Sequence, residues 1–481
     1  MEPWWKNKLV RVLKNMKTKV GLKEILKENI FYICFAVFIL AQSLVFAFIV
    51  PFGQVPDEMT HYQLIEEEWG KTGYYSEIVE VVWQQGGYDE LPGNAEAKVD
   101  DASVDSISKV KFSKGYDFLE FRPHLNMIRH LPAAIGFYIG VTLHLPILTC
   151  THLAEIFATF FFVIMGILTL KTTPIKKEIF AFCMLIPECI QQCTSVNYDS
   201  VVIPTSIFLF AYILKLYYSD EKIKWKQMSF LALVSLVVLV TKAPYVLILL
   251  SIFIIPISRF ELKIGKKFEA ASFFRKFWFV FVILMIIVGV LGVYVLRRSP
   301  EVKTVVADIL SFPSFVSLLY RTYSHWGYYH LQQMVGMFGW IDSVVTSQFL
   351  LLFFGMMTYL NVCMVEKVEK GLNFPRRLIL FLIAIAIIIF IEIALQTWTY
   401  KYLEWDILAG VDTFRQYNND LTEILGVQGR YWIPCLPLIL VALSGTSERK
   451  NVKVYYGVQV VYYIIALYNV MTLLYTRYWM R

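Results

Sequence analysis

The chain has 481 residues, of which 57% are hydrophobic and 17% are charged, and its formal net charge is +7. A water-soluble chain of this length needs more polar surface and would be expected to divide into two or three domains. Its apolar residues instead form runs of about 17–21 residues, the length that crosses a bilayer. The composition therefore predicts an all-α, polytopic membrane protein, and the positive charge is explained by basic loops and not by a nucleic-acid partner.

The first 30 residues are Lys-rich, and their apolar side chains recur on one stripe. Such a basic amphipathic segment lies on a membrane surface, so residues 1–30 are predicted to form a cytoplasmic arm. No small-residue cleavage site follows the first apolar run at 31–51. That run is therefore predicted to be a signal anchor, not a cleavable signal peptide.

About eleven runs are predicted to cross the membrane within a single domain, residues 31–475, followed by a short outer tail, residues 476–481. The runs lie at 31–51, 152–170, 178–194, 200–218, 228–241, 244–258, 277–296, 348–365, 378–398, 431–446 and 455–475. The run at 228–258 is divided at Lys242 into two short spans, with one kinked helix as the alternative.

The apolar run at 131–147 decides the topology, because every later loop changes side if this run crosses. If it lies instead at the outer interface, 28 of the 45 Lys and Arg residues fall in cytoplasmic segments, as the positive-inside rule requires. The predicted outer loops are then 52–151, 297–347 and 399–430. The first of them contains interfacial helices.

The first outer loop opens with Pro56-Asp57-Glu58 and His61, at the start of a predicted amphipathic helix. Acidic residues in a first helical turn match the helix dipole, so a capping role is one interpretation. The other is a general base, Asp57 or Glu58, with His61 four positions after Asp57 orienting it or contacting phosphate. The Glu-x-x-His spacing also occurs in di-iron helices, but such sites need a second copy of the motif, which the sequence lacks. We therefore expect no metal and no cofactor.

Two further polar motifs lie beside predicted spans. Asn197 and Asp199 precede the span at 200–218, where they are either helix caps or substrate contacts. Lys242 interrupts an apolar stretch, and it is either a snorkelling side chain or a functional cation near membrane depth.

The fourth motif, Gln428-Gly429-Arg430-Tyr431, directly precedes the span at 431–446. Arg and aromatic residues at this depth are common interface anchors, but a guanidinium beside glycines can also grip a phosphate with two hydrogen bonds. The lesser substrate-binding candidates are Arg122, Trp340 and Asp342. The predicted topology places all of these motifs on the outer face, although it rests on the basic loops alone.

Together, VPDEMTHYQ, SVNYDS, GWID and VQGRYWIPCLPL resemble a bacterial family of predicted membrane proteins with Pro-Asp-Glu-x-x-His and Gln-Gly-Arg-Tyr signatures. The acidic pair after the first span also resembles the GT-C class of membrane glycosyltransferases, which includes protein O-mannosyltransferases. The resemblance covers about residues 31–475. One departure is Arg129-His130-Leu131-Pro132, where the family pattern has a Pro-Pro pair followed by an aromatic residue.

The resemblance implies a GT-C-like fold and a polyprenyl-phosphate-linked sugar as donor, with Asp57 at the catalytic acidic position. The acceptor would be an envelope glycan or lipid at the outer face of the bacterial cytoplasmic membrane, and a flippase is a candidate partner. The transfer would invert the anomeric centre. No outer Asp-x-Asp motif occurs, which favours chemistry without a metal.

Two other functions compete with glycosyl transfer. A flippase or exporter of lipid-linked glycans would use charges within spans, and Glu188 and Glu392 are the main examples. A polysaccharide polymerase or ligase would use an assembled oligosaccharide as donor. The absence of a P-loop and of a dinucleotide-binding fingerprint argues against an ATP-driven pump.

Overall fold

The computed structural model describes residues 19–69, 73–94, 96–115, 124–261, 263–264, 268–269, 305–306, 309–364, 371–408, 423–444, 447–448 and 452–480. Four sequence predictions lie wholly or partly outside these residues: the span at 277–296, Arg122, residues 409–422 of the loop 399–430 and most of the N-terminal arm. The described part is mostly helical, as the sequence predicts.

Fifteen α-helices are described. They are α1 Lys19–Ile49, α2 Glu58–Glu68, α3 Tyr74–Ile78, α4 Asp101–Ile107, α5 Leu131–Thr142, α6 Ile147–Thr172, α7 Lys177–Met184, α8 Pro187–Thr194, α9 Asp199–Tyr218, α10 Trp225–Thr241, α11 Phe312–Val335, α12 Ser347–Val362, α13 Phe374–Leu408, α14 Leu436–Leu443 and α15 Val452–Tyr478. A π-helical turn, Val79–Gln85, continues α3. The 3₁₀ segments are Tyr88–Glu90, Leu125–His130, Ala243–Ile254, Ile257–Arg259 and Gly429–Cys435.

The described strands have two residues each and form three small pairs. The antiparallel pairs are β1 Lys263–Ile264 with β2 Phe268–Glu269 and β3 Met337–Phe338 with β4 Ser343–Val344, and the parallel pair is β5 Cys363–Met364 with β6 Ser447–Glu448.

Five of the described helices are long and apolar enough to cross a membrane. They contain most of the predicted spans 31–51, 152–170, 200–218, 378–398 and 455–475. The shorter apolar helices cover most of the predicted spans at 228–241, 244–258, 348–365 and 431–446. Large apolar side chains point away from the bundle, such as Phe48 at 58% exposure and Phe160 at 53%, as expected for helices surrounded by lipid.

The predicted span 178–194 is two helices and not one. Backbone at Ile186 is extended, and Pro187 begins α8 as its first residue. Proline lacks the N–H that would continue the preceding helix, and it fits best at a helix start. The chain therefore bends between α7 and α8.

The structure also subdivides the apolar run at 131–147, which was predicted to lie at the outer interface. Residues 131–147 divide into the short α5 and the beginning of α6, which pack together as a helical hairpin. Gly136 permits this packing, because a Cβ atom there would lie 2.3 Å from the carbonyl oxygen of Leu153. The predicted boundary at residue 30 falls inside α1, which runs without a break from Lys19.

Helix α9 forms the centre of the bundle, with 89% of its most apolar stretch buried against 33% for α1. It packs against α6, α10 and the 3₁₀ segment Ala243–Ile254. The chain reverses at Lys242, and the far ends of the hairpin meet where Ile223 N–H donates to the carbonyl of Arg259 at 2.8 Å. The predicted hairpin within 228–258 is thus confirmed.

The two ends of the bundle differ in charge. At one end, basic side chains donate to carbonyl groups at helix ends: Arg376 to Ile254 at 2.8 Å and Lys176 to Asn361 at 3.2 Å. The other end gathers the polar motifs and the end of α15, where Trp479 Nε1 donates to the carbonyl of Ile49 at 2.7 Å. The basic residues that the structure describes in these loops and the polar motifs therefore lie at opposite ends.

Candidate functional site

Four charged residues from four separate motifs meet at one end of the bundle. They are Asp57, Asp199, Lys242 and Arg430, and we refer to them as the charged cluster. Asp57 precedes α2 and Asp199 begins α9. Lys242 lies between α10 and the 3₁₀ segment Ala243–Ile254, and Arg430 is the second residue of the 3₁₀ segment Gly429–Cys435. The structure thus brings together residues that the sequence predicted one by one.

Arg430 is the centre of the charged cluster. Its Nη1 donates to Gln192 Oε1 at 2.8 Å, its Nη2 donates to Asp57 Oδ2 at 3.2 Å, and its Nε lies 3.5 Å from Asp199 Oδ2. The Arg430 side chain is only 7% exposed. A buried guanidinium of this kind is stable only when its neighbours compensate its charge, and here two carboxylates do so.

Glycine at position 429 determines where Arg430 can lie. A Cβ atom at Gly429 would be 1.8 Å from the carbonyl oxygen of His330 in α11. The Gly429 N–H also donates to Gln333 Oε1 at 3.1 Å. The absence of a side chain at Gly429 thus permits a close approach that fixes the backbone beside Arg430 against α11. Gln428 contributes its carbonyl, which accepts from the N–H of Tyr431 at 3.0 Å.

Asp199 links the two cations of the charged cluster. Lys242 Nζ lies 3.2 Å from Asp199 Oδ1, and it also lies 3.9 Å from the centre of the Tyr431 ring. Cation–π contacts of this length stabilise a partly desolvated ammonium. The Lys242 side chain is 26% exposed, while Asp199 is 6% exposed. Lys242 is therefore the more accessible cation of the cluster, and it is held in place rather than snorkelling freely.

Asn197 is a helix cap. Its Oδ1 accepts a hydrogen bond from the N–H of Ser200 at 3.0 Å, and its Nδ2 donates to Gln192 Oε1 at 3.0 Å. The capping interpretation is confirmed for Asn197, because Ser200 lies in the first turn of α9. It does not hold for Asp199, whose carboxylate faces Lys242 and Arg430. Asn197 also shares Gln192 with Arg430, so the cap is joined to the charged cluster.

Asp57 occupies the residue before α2, but its side chain makes no capping hydrogen bond. The capping interpretation is therefore wrong for Asp57. Its backbone has a left-handed φ of 67°, which Asp and Asn tolerate better than most residues. The side chain is 60% exposed and touches Arg430 on one side. Asp57 is the one carboxylate of the charged cluster that a dissolved or lipid-bound molecule can reach.

Glu58 points into the protein. It is 1% exposed, and its Oε2 accepts from the N–H of Gly53 at 2.9 Å. Burial, reinforced by the nearby Glu155 carboxyl, raises the pKa of Glu58. A protonated, enclosed carboxyl is poorly suited to accept a proton from a substrate.

His61 forms a hydrogen bond with a second histidine, His130. Its Nδ1 lies 2.9 Å from His130 Nε2, and His130 Nδ1 lies 2.9 Å from Glu68 Oε2. Burial is the main cause that lowers the pKa of each of the two imidazoles to about 3, and burial raises the pKa of Glu68 to about 7. His130 and Glu68 were not predicted as site residues, although His61 and Glu68 are seven positions apart on one face of α2.

Trp340 and Asp342 belong to a different contact. Asp342 Oδ2 lies 2.7 Å from Arg477 Nη2, and Arg477 also donates to the carbonyl of Leu91 at 2.7 Å. Trp340 is 40% exposed at the turn between β3 and β4. These residues join the end of α15 to the first loop, and no described contact links them to the charged cluster.

Glu188 and Glu392, the acidic residues within spans that a flippase would use, both have partners. Glu188 accepts from Gln192 Nε2 at 2.9 Å and from the N–H of Met337 at 3.2 Å. Glu392 accepts from the Tyr323 hydroxyl at 2.5 Å. In the described part of the chain, no group of three or more His, Cys, Asp and Glu side chains has an arrangement that would hold a metal ion.

A family model described as "Predicted membrane protein (DUF2142)" matches residues 40–439. No curated protein and no solved structure matches the chain. The match supports the predicted resemblance to a family of predicted membrane proteins, and the likeness to GT-C glycosyltransferases stays a prediction.

Proposed function

The chain belongs to the DUF2142 family of predicted membrane proteins, and from the geometry of its charged cluster we propose that it is a membrane glycosyltransferase. It transfers a sugar from a polyprenyl-phosphate donor to a glycan or lipid of the cell envelope. The active site lies at the outer face of the bacterial cytoplasmic membrane, in a GT-C-like bundle of about eleven spans. The basic end of the bundle faces the cytoplasm, in keeping with the positive-inside rule.

One observation carries the proposal: an accessible carboxylate is fixed by a buried guanidinium. Asp57 is 60% exposed and Arg430 is 7% exposed, with 3.2 Å between Oδ2 and Nη2. A general base must be reachable by the substrate and must be held in one geometry.

The proposed reaction is an inverting displacement. Asp57 accepts the proton of an acceptor hydroxyl while that oxygen attacks the anomeric carbon from the face opposite the phosphate. The bond between the anomeric carbon and the phosphate oxygen breaks, and polyprenyl phosphate leaves as an anion. A phosphate is a stable leaving group, so the reaction requires no general acid and proceeds without a metal.

The leaving phosphate needs positive charge at the site, because charge that develops in a water-poor environment must be compensated by fixed groups. Lys242 fits this role best, since its side chain is 26% exposed and its ammonium is oriented by Asp199 and the Tyr431 ring. Arg430 acts indirectly, because its hydrogen bonds are directed to Asp57 and Gln192. It holds the base in position and adds to the positive electrostatic potential of the site.

The test is a transfer assay with defined donors. Purified protein in lipid nanodiscs is incubated with a panel of radiolabelled polyprenyl-phosphate monosaccharides and membrane-extract acceptors, and the release of polyprenyl phosphate is measured. We expect turnover of at least one donor, and loss of that turnover in Asp57→Asn. If no monosaccharide donor turns over, the proposal fails. Movement of an intact lipid-linked glycan in proteoliposomes would then indicate a flippase, and turnover only of assembled oligosaccharide donors would indicate a polymerase or ligase.

A further inference from the structure

A cavity lies at the basic end of the bundle, opposite the charged cluster, between the end of α9 and the start of α10. Its volume is about 310 Å³, which is near the lower limit for ligand pockets. Three exposed lysines, Lys215, Lys222 and Lys226, line this cavity together with aromatic side chains. The cavity has no role in the transfer step described above.

The lining of this cavity is mainly positive. Glu221 is the acidic side chain among the lining residues, against three lysines, and Asp220 is exposed beside it. In the part of the chain that the structure describes, no side chain or carbonyl pairs with the ammonium of Lys215 or of Lys226. Ammonium groups that line one cavity without a partner attract an anion with several acceptor oxygens, such as a phosphate.

The loop between α9 and α10 forms one wall of the cavity, and its contacts hold it in place. The Arg259 guanidinium donates to the carbonyl of Glu221 at 2.6 Å, and the Ile223 N–H donates to the Arg259 carbonyl at 2.8 Å. Lys222 Nζ donates to the carbonyl of Ser258 at 2.9 Å. The wall is therefore fixed by the protein itself, and Arg259 adds a positive charge behind it.

The floor of the cavity is aromatic and continues along the exposed side of α10. The ring centroids of Tyr212 and Phe230 are 4.9 Å apart. Phe230 is 40% exposed, and Leu233, about one turn further along α10, is 59% exposed. Phe230 lies four positions after Lys226, so the two share one helix face. Tyr212 lies three positions before Lys215 and shares a face of α9 with it in the same way. Each helix thus presents a lysine at its end and an aromatic ring one turn deeper in the bundle.

A lipid fits this surface better than a soluble anion, because a soluble anion would leave the aromatic strip exposed. Basic pockets between membrane helices are known sites for anionic lipid head groups. We propose that the cavity binds an anionic phospholipid, with its phosphate between Lys215 and Lys226 and its acyl chains along Tyr212 and Phe230. The proposed orientation of the bundle assigns this lipid to the cytoplasmic leaflet. Its binding does not depend on glycosyl transfer.

Native mass spectrometry of the purified full chain measures the affinity for single lipids. Phosphatidylglycerol is the anionic probe, and phosphatidylcholine with the same acyl chains is the zwitterionic control. We expect phosphatidylglycerol to bind about 10–30-fold more tightly, the effect of two lysines near a membrane surface. Lys215→Gln combined with Lys226→Gln should remove this preference, whereas Lys215→Arg combined with Lys226→Arg should keep it. Equal affinity of the wild-type protein for the two lipids would overturn the proposal.

A matched control separates a defined site from the general positive charge of this end. Lys171 and Lys453 are also exposed at the basic end, but they do not line the cavity. Lys171→Gln combined with Lys453→Gln removes the same charge and should keep the preference for phosphatidylglycerol. The same loss in both double variants would show that the lysines only snorkel to a charged surface. Binding of soluble glycerol phosphate as tight as that of the lipid would also contradict a lipid site.

Photolabelling in nanodiscs locates the lipid in the wild-type protein, so it decides the matter even if a double variant is unstable. The probe is phosphatidylglycerol with a diazirine in its acyl chain. We expect adducts within residues 208–233, which excess phosphatidylglycerol suppresses and phosphatidylcholine does not. Adducts that map only to other segments would refute the site. A transfer assay without turnover would end the proposed function and leave this result unaffected.

Discussion

Arg430 holds Asp57 across 373 positions of the sequence, with Nη2 at 3.2 Å from Oδ2. The buried guanidinium orders an exposed carboxylate, so the two residues have separate roles that mutation can resolve. Arg430 should matter for folding and for activity, and Asp57 for activity alone.

Asp57→Asn should lower transfer by about 10²–10⁴-fold, the usual contribution of a general base. Asn also tolerates the left-handed φ of 67° and keeps a side-chain oxygen that can accept from Arg430. The free energy of unfolding should therefore fall by about 1 kcal/mol or less, the size of one hydrogen bond. Turnover and the unfolding midpoint are measured on the same preparation. Asp101→Asn, in the same loop, is the control with normal activity. Full activity of the Asp57 variant would exclude Asp57 as the base.

Arg430→Met should destabilise the protein by about 3–5 kcal/mol, because it leaves the buried Asp199 carboxylate with Lys242 as its single cation. The measurement is thermal or denaturant unfolding in nanodiscs. Adding Asp199→Asn to the same chain should recover part of the loss, since coupled residues are not additive. Strict additivity of the two substitutions would show that the ion pair contributes little.

Lys242→Gln should raise the KM for the donor by about 10–100-fold, equivalent to a charge-assisted hydrogen bond of about 1.5–3 kcal/mol. Lys242→Arg should recover part of the affinity, because the charge remains near Asp199. The exposed Lys109→Gln serves as the control for a general loss of positive charge in the outer region. An unchanged KM in Lys242→Gln would remove this residue from the phosphate site.

Gly429→Ala should disrupt the site although no charged residue is substituted. The added Cβ would lie 1.8 Å from the His330 carbonyl oxygen, and a backbone clash of this kind costs about 3 kcal/mol or more. Gly457→Ala is the matched control, because a Cβ atom added there would have no neighbour within 4 Å and Ala favours a helix. Equal unfolding midpoints for the two variants would contradict the close packing of α11 on Gly429.

Stability should fall as the pH drops below about 6.5. The folded-state pKa values of His61 and His130 are about 3, so the unfolded chain binds more protons between about 3 and 6.5. At pH 5 the loss is about 2 kcal/mol for each imidazole. Glu68 acts in the opposite direction, because its raised pKa of about 7 stabilises the folded state at low pH and loses this effect as the pH rises through that value.

The two histidines should therefore outweigh Glu68 between pH 7 and pH 5. Unfolding midpoints of the wild-type protein and of His130→Gln, measured at both values, test this expectation. The midpoint of the variant should fall less than that of the wild type. An equal fall in both proteins would show that His130 is accessible to protons in the folded state.

The helices were predictable because a long apolar run that crosses a bilayer satisfies its backbone hydrogen bonds by forming a helix. The continuous helices α9 and α15 follow their runs closely. The division between α7 and α8 was not predicted, because hydropathy does not change at Ile186. Pro187 was the available signal, but a proline can also lie inside a kinked membrane helix, so it did not indicate a break by itself.

The members of the charged cluster were predictable singly, since ionisable residues beside spans are rare and expensive. Their partners were not, because Asp57 and Arg430 are joined by tertiary packing and not by any local spacing. His130 was considered only as a departure from a family pattern. Its pairing with His61 depends on where the hairpin of α5 and α6 packs. The periodicity of the sequence does not indicate that position.

Arg477 donates to the carbonyl of Ala97, 380 positions earlier, at 3.1 Å, and this contact has a consequence for biosynthesis. A chain emerges from the ribosome at about 5–20 residues per second. The first loop is synthesised early, but its contact with Arg477 cannot form until residue 477 has been synthesised and α15 has been inserted. The nascent protein therefore lacks this contact for tens of seconds, and Ala97 is joined to α15 only after that helix has been inserted.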